Sequence, residues 1–198
     1  LSTFYQDART QTIYLASEIG NPCDITALGL YVTDDPGMIM NHFTIRMKHT
    51  GLSVYSAPVS WESSGWTTVY QADEDITGMT GWVQFHFVTP FFYNGTDNLM
   101  VDISINNSAY TSDGYCRYST PGGTRTLYNR NDSNYGDPLT WLGQTPTPSS
   151  TTRVPNIKLV TTEPVCQIGD LNQTCGVDWN DLALFVSYWL QEDCVSPQ

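Results

Sequence analysis

The sequence predicts an all-β fold, a two-sheet antiparallel sandwich of jelly-roll type, with a small C-terminal calcium loop and helix appended. Three observations predict it. Short runs alternating apolar and polar residues recur along most of the chain, separated by Gly, Pro, Asn and Asp. No helical periodicity intervenes until the C-terminal end. The composition is rich in rings, with 12 Tyr, 7 Phe and 6 Trp among 198 residues, and Lys is nearly absent. A chain of this length holds one sizeable domain plus an appendage. The division we read is a sandwich over 1–160, a linker over 161–167, and a loop and helix over 168–194.

In chain order, residues 12–19 predict the first strand, with Ile13, Leu15 and Ile19 on one face. Residues 25–33 follow, with Leu28, Leu30 and Val32 inward. Asp34, Asp35, Pro36 and Gly37 then make a turn, because Pro presets φ and Gly accepts a positive one. Residues 41–49 alternate strictly: Phe43, Ile45 and Met47 oppose His42, Thr44, Arg46 and Lys48. Further strands are predicted over 66–71, 82–89, 99–105, 115–119, 126–130 and 156–160. About nine short strands at this spacing argue for two packed antiparallel sheets. The Pro/Ser/Thr run over 144–152 reads as a mobile, extended surface loop. Thr145 and Thr147 within it are candidates for O-linked sugar. Asn94, Asn106, Asn131 and Asn172 each begin an N-glycosylation pattern, which the abundance of Asn and Thr also produces by chance.

Charge and cysteines bound the setting. The formal charge is −12, and so few scattered cations cannot form the basic patch that nucleic acid requires. No apolar run is long enough to span a bilayer. The chain opens in a polar-aromatic segment, and we read it as a mature, processed form. Five cysteines suit an oxidising, extracellular or cell-surface compartment, and the odd count leaves one unpaired or paired between chains. Cys166, Cys175 and Cys194 lie in the tail, Cys23 and Cys116 in the large domain.

No catalytic constellation emerges, so a non-catalytic protein is expected. His42, His49 and His86 are the only histidines, without zinc spacing. There is neither a Gly-x-Ser-x-Gly elbow nor a phosphate loop. Glu18 and Glu62 are the carboxylates a glycosidase pair would draw on, but sequence cannot set them across a cleft.

One resemblance covers most of residues 10–160. Phe43-Thr44-Ile45-Arg46-Met47-Lys48-His49-Thr50, Gly65-Trp66-Thr67-Thr68-Val69-Tyr70 and Thr89-Pro90-Phe91-Phe92-Tyr93-Asn94-Gly95-Thr96-Asp97-Asn98-Leu99 follow in a succession similar to an uncharacterised β-sandwich domain of secreted and surface bacterial proteins, planctomycetes among them. The resemblance implies a fold and an extracellular setting and carries no catalytic residues.

The tail carries the sharpest motif. From Asp170 to Asp181, oxygen-bearing side chains stand at positions 1, 3, 5, 9 and 12, the ligand spacing of an EF-hand-type calcium loop. Asp170, Asn172, Thr174, Asp178 and Asp181 would supply side chains to Ca2+, and Gly176 its carbonyl. The alternative is an Asx-rich turn capping a helix without metal. Position 12 is Asp where Glu is usual, and position 6 is Cys175 where Gly is usual. With Val177 at position 8, the segment resembles one repeat of a dockerin module, and Cys at position 6 resembles the single dockerin-like tails of secreted planctomycete proteins. That resemblance implies a Cys175–Cys194 disulfide. The following residues, 181–190, predict a helix. Leu182, Phe185, Val186 and Trp189 form one apolar stripe, and Leu184 and Tyr188 a second. A complete dockerin has two mutually covering repeats. With one, the helix must bury against its own domain, a neighbouring chain, or both.

Three functions compete. The first is a structural subunit of a surface or fibre-like assembly, self-associating head-to-tail through the C-terminal helix or an N-terminal strand. The second is glycan binding by a platform of Trp61, Trp66, Trp82 and Trp141, which requires at least half of them exposed and coplanar. The third, implied by the dockerin resemblance, is anchoring to a cohesin-like receptor.

Overall fold

The alternating runs become strands whose apolar sides face one another. The computed structural model describes residues 3–132, 134–163, 169–171 and 177–189. The chain divides into two compact units, Leu1–Thr162 and Glu163–Gln198. In order, the elements are β1 (Asp7–Tyr14), α1 (Ala16–Ile19), β2 (Cys23–Asp34), β3 (Met40–Thr50), β4 (Thr67–Glu74), β5 (Gly81–Tyr93), β6 (Asn98–Asn106), β7 (Tyr115–Cys116), β8 (Tyr118–Ser119), β9 (Thr126–Asn131), β10 (Ser149–Thr151), β11 (Val154–Pro155), β12 (Ile157–Thr162) and α2 (Trp179–Trp189).

The first unit is an antiparallel sandwich of jelly-roll type. One sheet runs β10-β9-β1-β6-β3-β4, the other β12-β2-β5 with β7 beside β2, and β8 and β11 form a two-stranded ribbon. Phe43, Ile45 and Met47 of β3 and Leu99 and Val101 of β6 meet Leu28, Leu30 and Val32 of β2 and Phe85 of β5, all fully or nearly fully buried in one core. Phe43 and Phe85 touch with centroids 4.8 Å apart. Burying each such side chain contributes roughly 1.5–3 kcal/mol. The turn after β2 is the one predicted. Gly37 adopts φ +66°, its N–H donates to Asp35 Oδ1 at 2.7 Å, and a Cβ there would stand 2.8 Å from Ser112 Oγ.

Three expectations need correction. The first strand begins at Asp7, not residue 12, and ends at Tyr14. Leu15 then opens a helical turn, in which its N–H donates to the Glu18 carboxylate at 2.9 Å and Glu18 binds Arg125 through two bonds of 2.8 and 3.0 Å. Ile13 and Leu15 therefore pack on one side of the sheet and Ile19 on the other. The Pro/Ser/Thr run is not a mobile loop. Ser149–Thr151 pairs with β9, Pro146 and Pro148 are buried, and the Trp61 indole N–H donates to the Pro146 carbonyl at 2.8 Å.

The third correction concerns the polar face of the six-stranded sheet. Arg9, Gln11, Thr44, Lys48 and Asp102 point away from the sandwich core yet are buried. The segments 51–66 and 134–148 fold over them. Tyr55, Trp61 and Trp141 from those segments join Ile13, Met100 and Leu127 of the sheet in a second apolar cluster. Beneath it, Asp102 Oδ2 accepts from Arg9 Nε at 2.8 Å and Gln11 Nε2 at 2.8 Å, with Arg46 Nη2 at 3.2 Å. Arg9 Nη1 also donates to the carbonyls of Pro138 at 3.0 Å and Trp141 at 2.6 Å. Buried charges are tolerated when paired and hydrogen-bonded. Arg9 and Asp102 Oδ2 are, whereas Asp102 Oδ1 and Arg46 Nε and Nη2 are buried without a hydrogen bond among the described residues.

In the second unit, α2 starts at Trp179, two residues before the helix start expected at residue 181. No helix among the described residues is long and apolar enough to cross a membrane.

Candidate functional site

Asp178 stands immediately before α2, and its Oδ1 accepts the N–H of Asn180 at 2.7 Å. A short carboxylate there satisfies a helix donor that lacks an intrahelical partner. Asp181, in the first turn, turns back toward the loop. Its Oδ1 accepts the N–H of Leu171 at 2.8 Å and its Oδ2 that of Asp178 at 2.7 Å. The carboxylate at loop position 12 thus ties the loop's first turn to the helix start. Asp170 and Asp181 are only 8% and 2% exposed.

The chemistry of this donor set suits a hard cation, because carboxylate oxygens keep lone pairs beyond the one each hydrogen bond uses. Asn172, Thr174 and Gly176 lie outside the described residues, as do Cys175, Cys194 and Cys166. Among the described residues, no three His, Cys, Asp or Glu side chains stand close enough together to hold an ion.

The helix carries its two stripes as expected. Phe185 and Trp189 lie one turn apart with ring centroids at 6.0 Å. Leu182, Val186 and Tyr188 are exposed like them, with Trp189 at 68%, and Leu184 is half-buried.

The four tryptophans do not form a platform. Trp61 and Trp141 are each 3% exposed and pack together over Arg9, whose guanidinium sits 4.8 Å from the Trp61 ring. The Trp66 ring carries Arg46 at 5.3 Å and Lys48 at 5.1 Å, and its indole N–H donates to the Glu62 carbonyl. Their faces are taken because cations beneath them need cover and quadrupole attraction. Trp82 is the exposed one, on the other sheet, and it meets Tyr31 at 83°, edge to face. Thr145 and Thr147 are exposed. Glu18 is bound to Arg125 and Glu62 to Lys48 at 2.8 Å, so each carboxylate serves a cation of its own. His42 and His86 are exposed, and burial lowers the pKa of His49.

Sequence reasoning missed a cleft of about 400 Å³ at the β9–β10 end of the sandwich. Its floor includes Ala8, Thr10, Ile103 and Ile105 from β1 and β6, and its walls include Tyr115, Tyr118 and Tyr128. Arg130 and Arg153 also line it. The signal available in sequence was Tyr at 115, 118 and 128 in short strands, without any indication that these would converge. Comparison with known proteins is silent: no family model, curated protein or solved structure matches the chain.

Proposed function

We propose that this is a non-catalytic extracellular structural subunit that joins copies of itself head-to-tail through its C-terminal unit. The observation that carries the reading is α2. Six of its large apolar side chains, Trp179, Leu182, Phe185, Val186, Tyr188 and Trp189, are exposed, more than a short helix in water leaves uncovered without a partner. A heterologous contact of this kind propagates a filament when its rotation does not close. Ca2+ held by Asp170, Asn172, Thr174, Gly176, Asp178 and Asp181 would stiffen the joint, and the buried carboxylates of Asp170 and Asp181 support that assignment. We place the joint at the C-terminal unit, not at an N-terminal strand, because β1 is paired on both edges, to β6 and to β9. Thr3 is also tied down, its Oγ1 donating within reach of the Pro36 and Ser112 carbonyls.

The test is the size of the native, untagged chain with calcium and then with EDTA, by light scattering and negative-stain microscopy. Polymers or fibres that EDTA dissolves, and that Phe185→Ser prevents, support the joint. A monomer in both conditions refutes it.

A further inference from the structure

We infer that the cleft at the β9–β10 end of the sandwich is a binding site for an acidic saccharide, of the uronic acid class. The inference is independent of the C-terminal joint. The cleft volume of about 400 Å³ falls within the range of sites that enclose small ligands. Its shape and chemistry are those of an amphipathic ring. A pyranose presents a C–H face, which stacks on aromatic rings, and an edge of hydroxyls. Here the apolar floor of Ala8, Ile103 and Ile105 meets half-exposed rings of Tyr118 and Tyr128, each with a hydroxyl. Phenol hydroxyls both donate and accept, as sugar hydroxyls do.

The charge narrows the class. In a chain of formal charge −12, three arginines contribute to the lining of this one cleft, and the guanidinium of one, Arg9, is spent on Asp102 and the Pro138 and Trp141 carbonyls, which leaves Arg130 and Arg153. Arg130 is engaged, with Nη1 2.9 Å from Asp113 Oδ2. Arg153 has neither an ion pair nor a side-chain hydrogen bond among the described residues. It is held at the rim by the Tyr118 ring, 4.7 Å from its guanidinium carbon. A planar fork held in place with its donors unused matches a carboxylate through two parallel hydrogen bonds. A neutral sugar would leave that fork idle. A polyanion as dense as nucleic acid would meet the repulsion of the whole chain. An apolar segment of a second copy would find phenol hydroxyls and guanidiniums on the walls where it needs aliphatic surface.

The test is isothermal titration of the full chain in EDTA, which also removes calcium bridging, with trigalacturonate and with neutral galactotriose. The expected result is tighter binding of trigalacturonate by about tenfold or more, as a charge-assisted bidentate pair gives. Arg153→Gln should remove that preference, and Tyr118→Ala should weaken both ligands. Both residues are exposed, and Arg153→Lys, which keeps the charge and loses the fork, serves if a variant melts early. No binding of either sugar, equal binding of both, or trigalacturonate binding that survives Arg153→Gln would each overturn the inference. So would self-association in EDTA that Arg153→Gln abolishes, with neither sugar bound, since the occupant would then be a second copy.

Discussion

Replacing Asp102 by Ala tests how the outer face of the six-stranded sheet is held. Asp102 is fully buried, and one of its oxygens accepts from both Arg9 and Gln11. Removal leaves Arg9, whose side chain is 1% exposed, with two carbonyls and the Trp61 ring but no counter-charge. Burial already lowers the Arg9 pKa, and Asp102 is what opposes that. Breaking a buried pair from one side costs roughly 3–5 kcal/mol. The two carbonyls compensate in part, so we expect the lower half, about 3–4 kcal/mol. Arg46 adds less, because its contact with Asp102 is longer, at 3.2 Å. The double variant Arg9→Met with Asp102→Leu removes both charges and should recover to within about 1–2 kcal/mol of the parent. Urea unfolding in EDTA, followed by the fluorescence of Trp61 and Trp141 beside the cluster, should show the single variant's midpoint lowered by about 1–3 M. A loss below about 1 kcal/mol for Asp102→Ala, or a double variant no better than the single one, would refute the account of Arg9 as an uncompensated buried charge.

Three further outcomes are expected. Asp181→Ala removes the acceptor for two backbone donors and, on the calcium reading proposed above, the last loop ligand, so terbium luminescence should report affinity weakened at least about tenfold; unchanged affinity would exclude Asp181 as a ligand. The Arg125 hydrogen bonds hold the Glu18 carboxyl below its ordinary range. A depressed carboxyl stabilises the fold above its unfolded pKa, and that contribution fades as pH falls through the folded value. Acid titration below about pH 4.5 should therefore destabilise the parent more than Glu18→Gln, by under about 1 kcal/mol because Glu18 is partly exposed, and parallel acid curves would contradict it. Phe43→Ala should cost about 3–5 kcal/mol by chemical denaturation, and a loss under about 1 kcal/mol would mean that the core around Phe85 and Tyr70 collapses to refill the space.

The sandwich was legible because its evidence is local. The alternation of Phe43, Ile45 and Met47 against Thr44, Arg46 and Lys48 follows from the two-residue strand period alone. The Asp35–Gly37 turn and the α2 stripe follow from equally short-range rules. What was not legible is long-range. Tyr115, Tyr118 and Tyr128 sit in strands of two to six residues, too short for periodicity to speak. They converge with Arg153 only because β8 pairs with β11 and β9 with both β1 and β10.

The tryptophans show the same limit more sharply. Strand period says which side chains share a face, but whether that face meets water depends on what folds over it. Thr44, Arg46 and Lys48 oppose the core side of β3, and Arg46 and Lys48 are roofed by Trp66 and Glu62 from the segment that follows the strand. The roof needs groups that are large, apolar and tolerant of cations beneath them, and that can hydrogen-bond at an edge. Indole meets all four needs. Trp61, Trp66 and Trp141 each place a ring beside a cation or beside another such ring, and each donates its N–H to a backbone carbonyl. Tryptophans near loops in a β-sandwich therefore invite two readings, a glycan platform outside or a roof over buried charge. The discriminating feature here is the company they keep on the neighbouring strands: Arg9 and Gln11 on β1, Arg46 and Lys48 on β3 and Asp102 on β6 make a face too charged to lie bare against an apolar neighbour, with Asp102 paired to Arg9 and Gln11 beneath the rings.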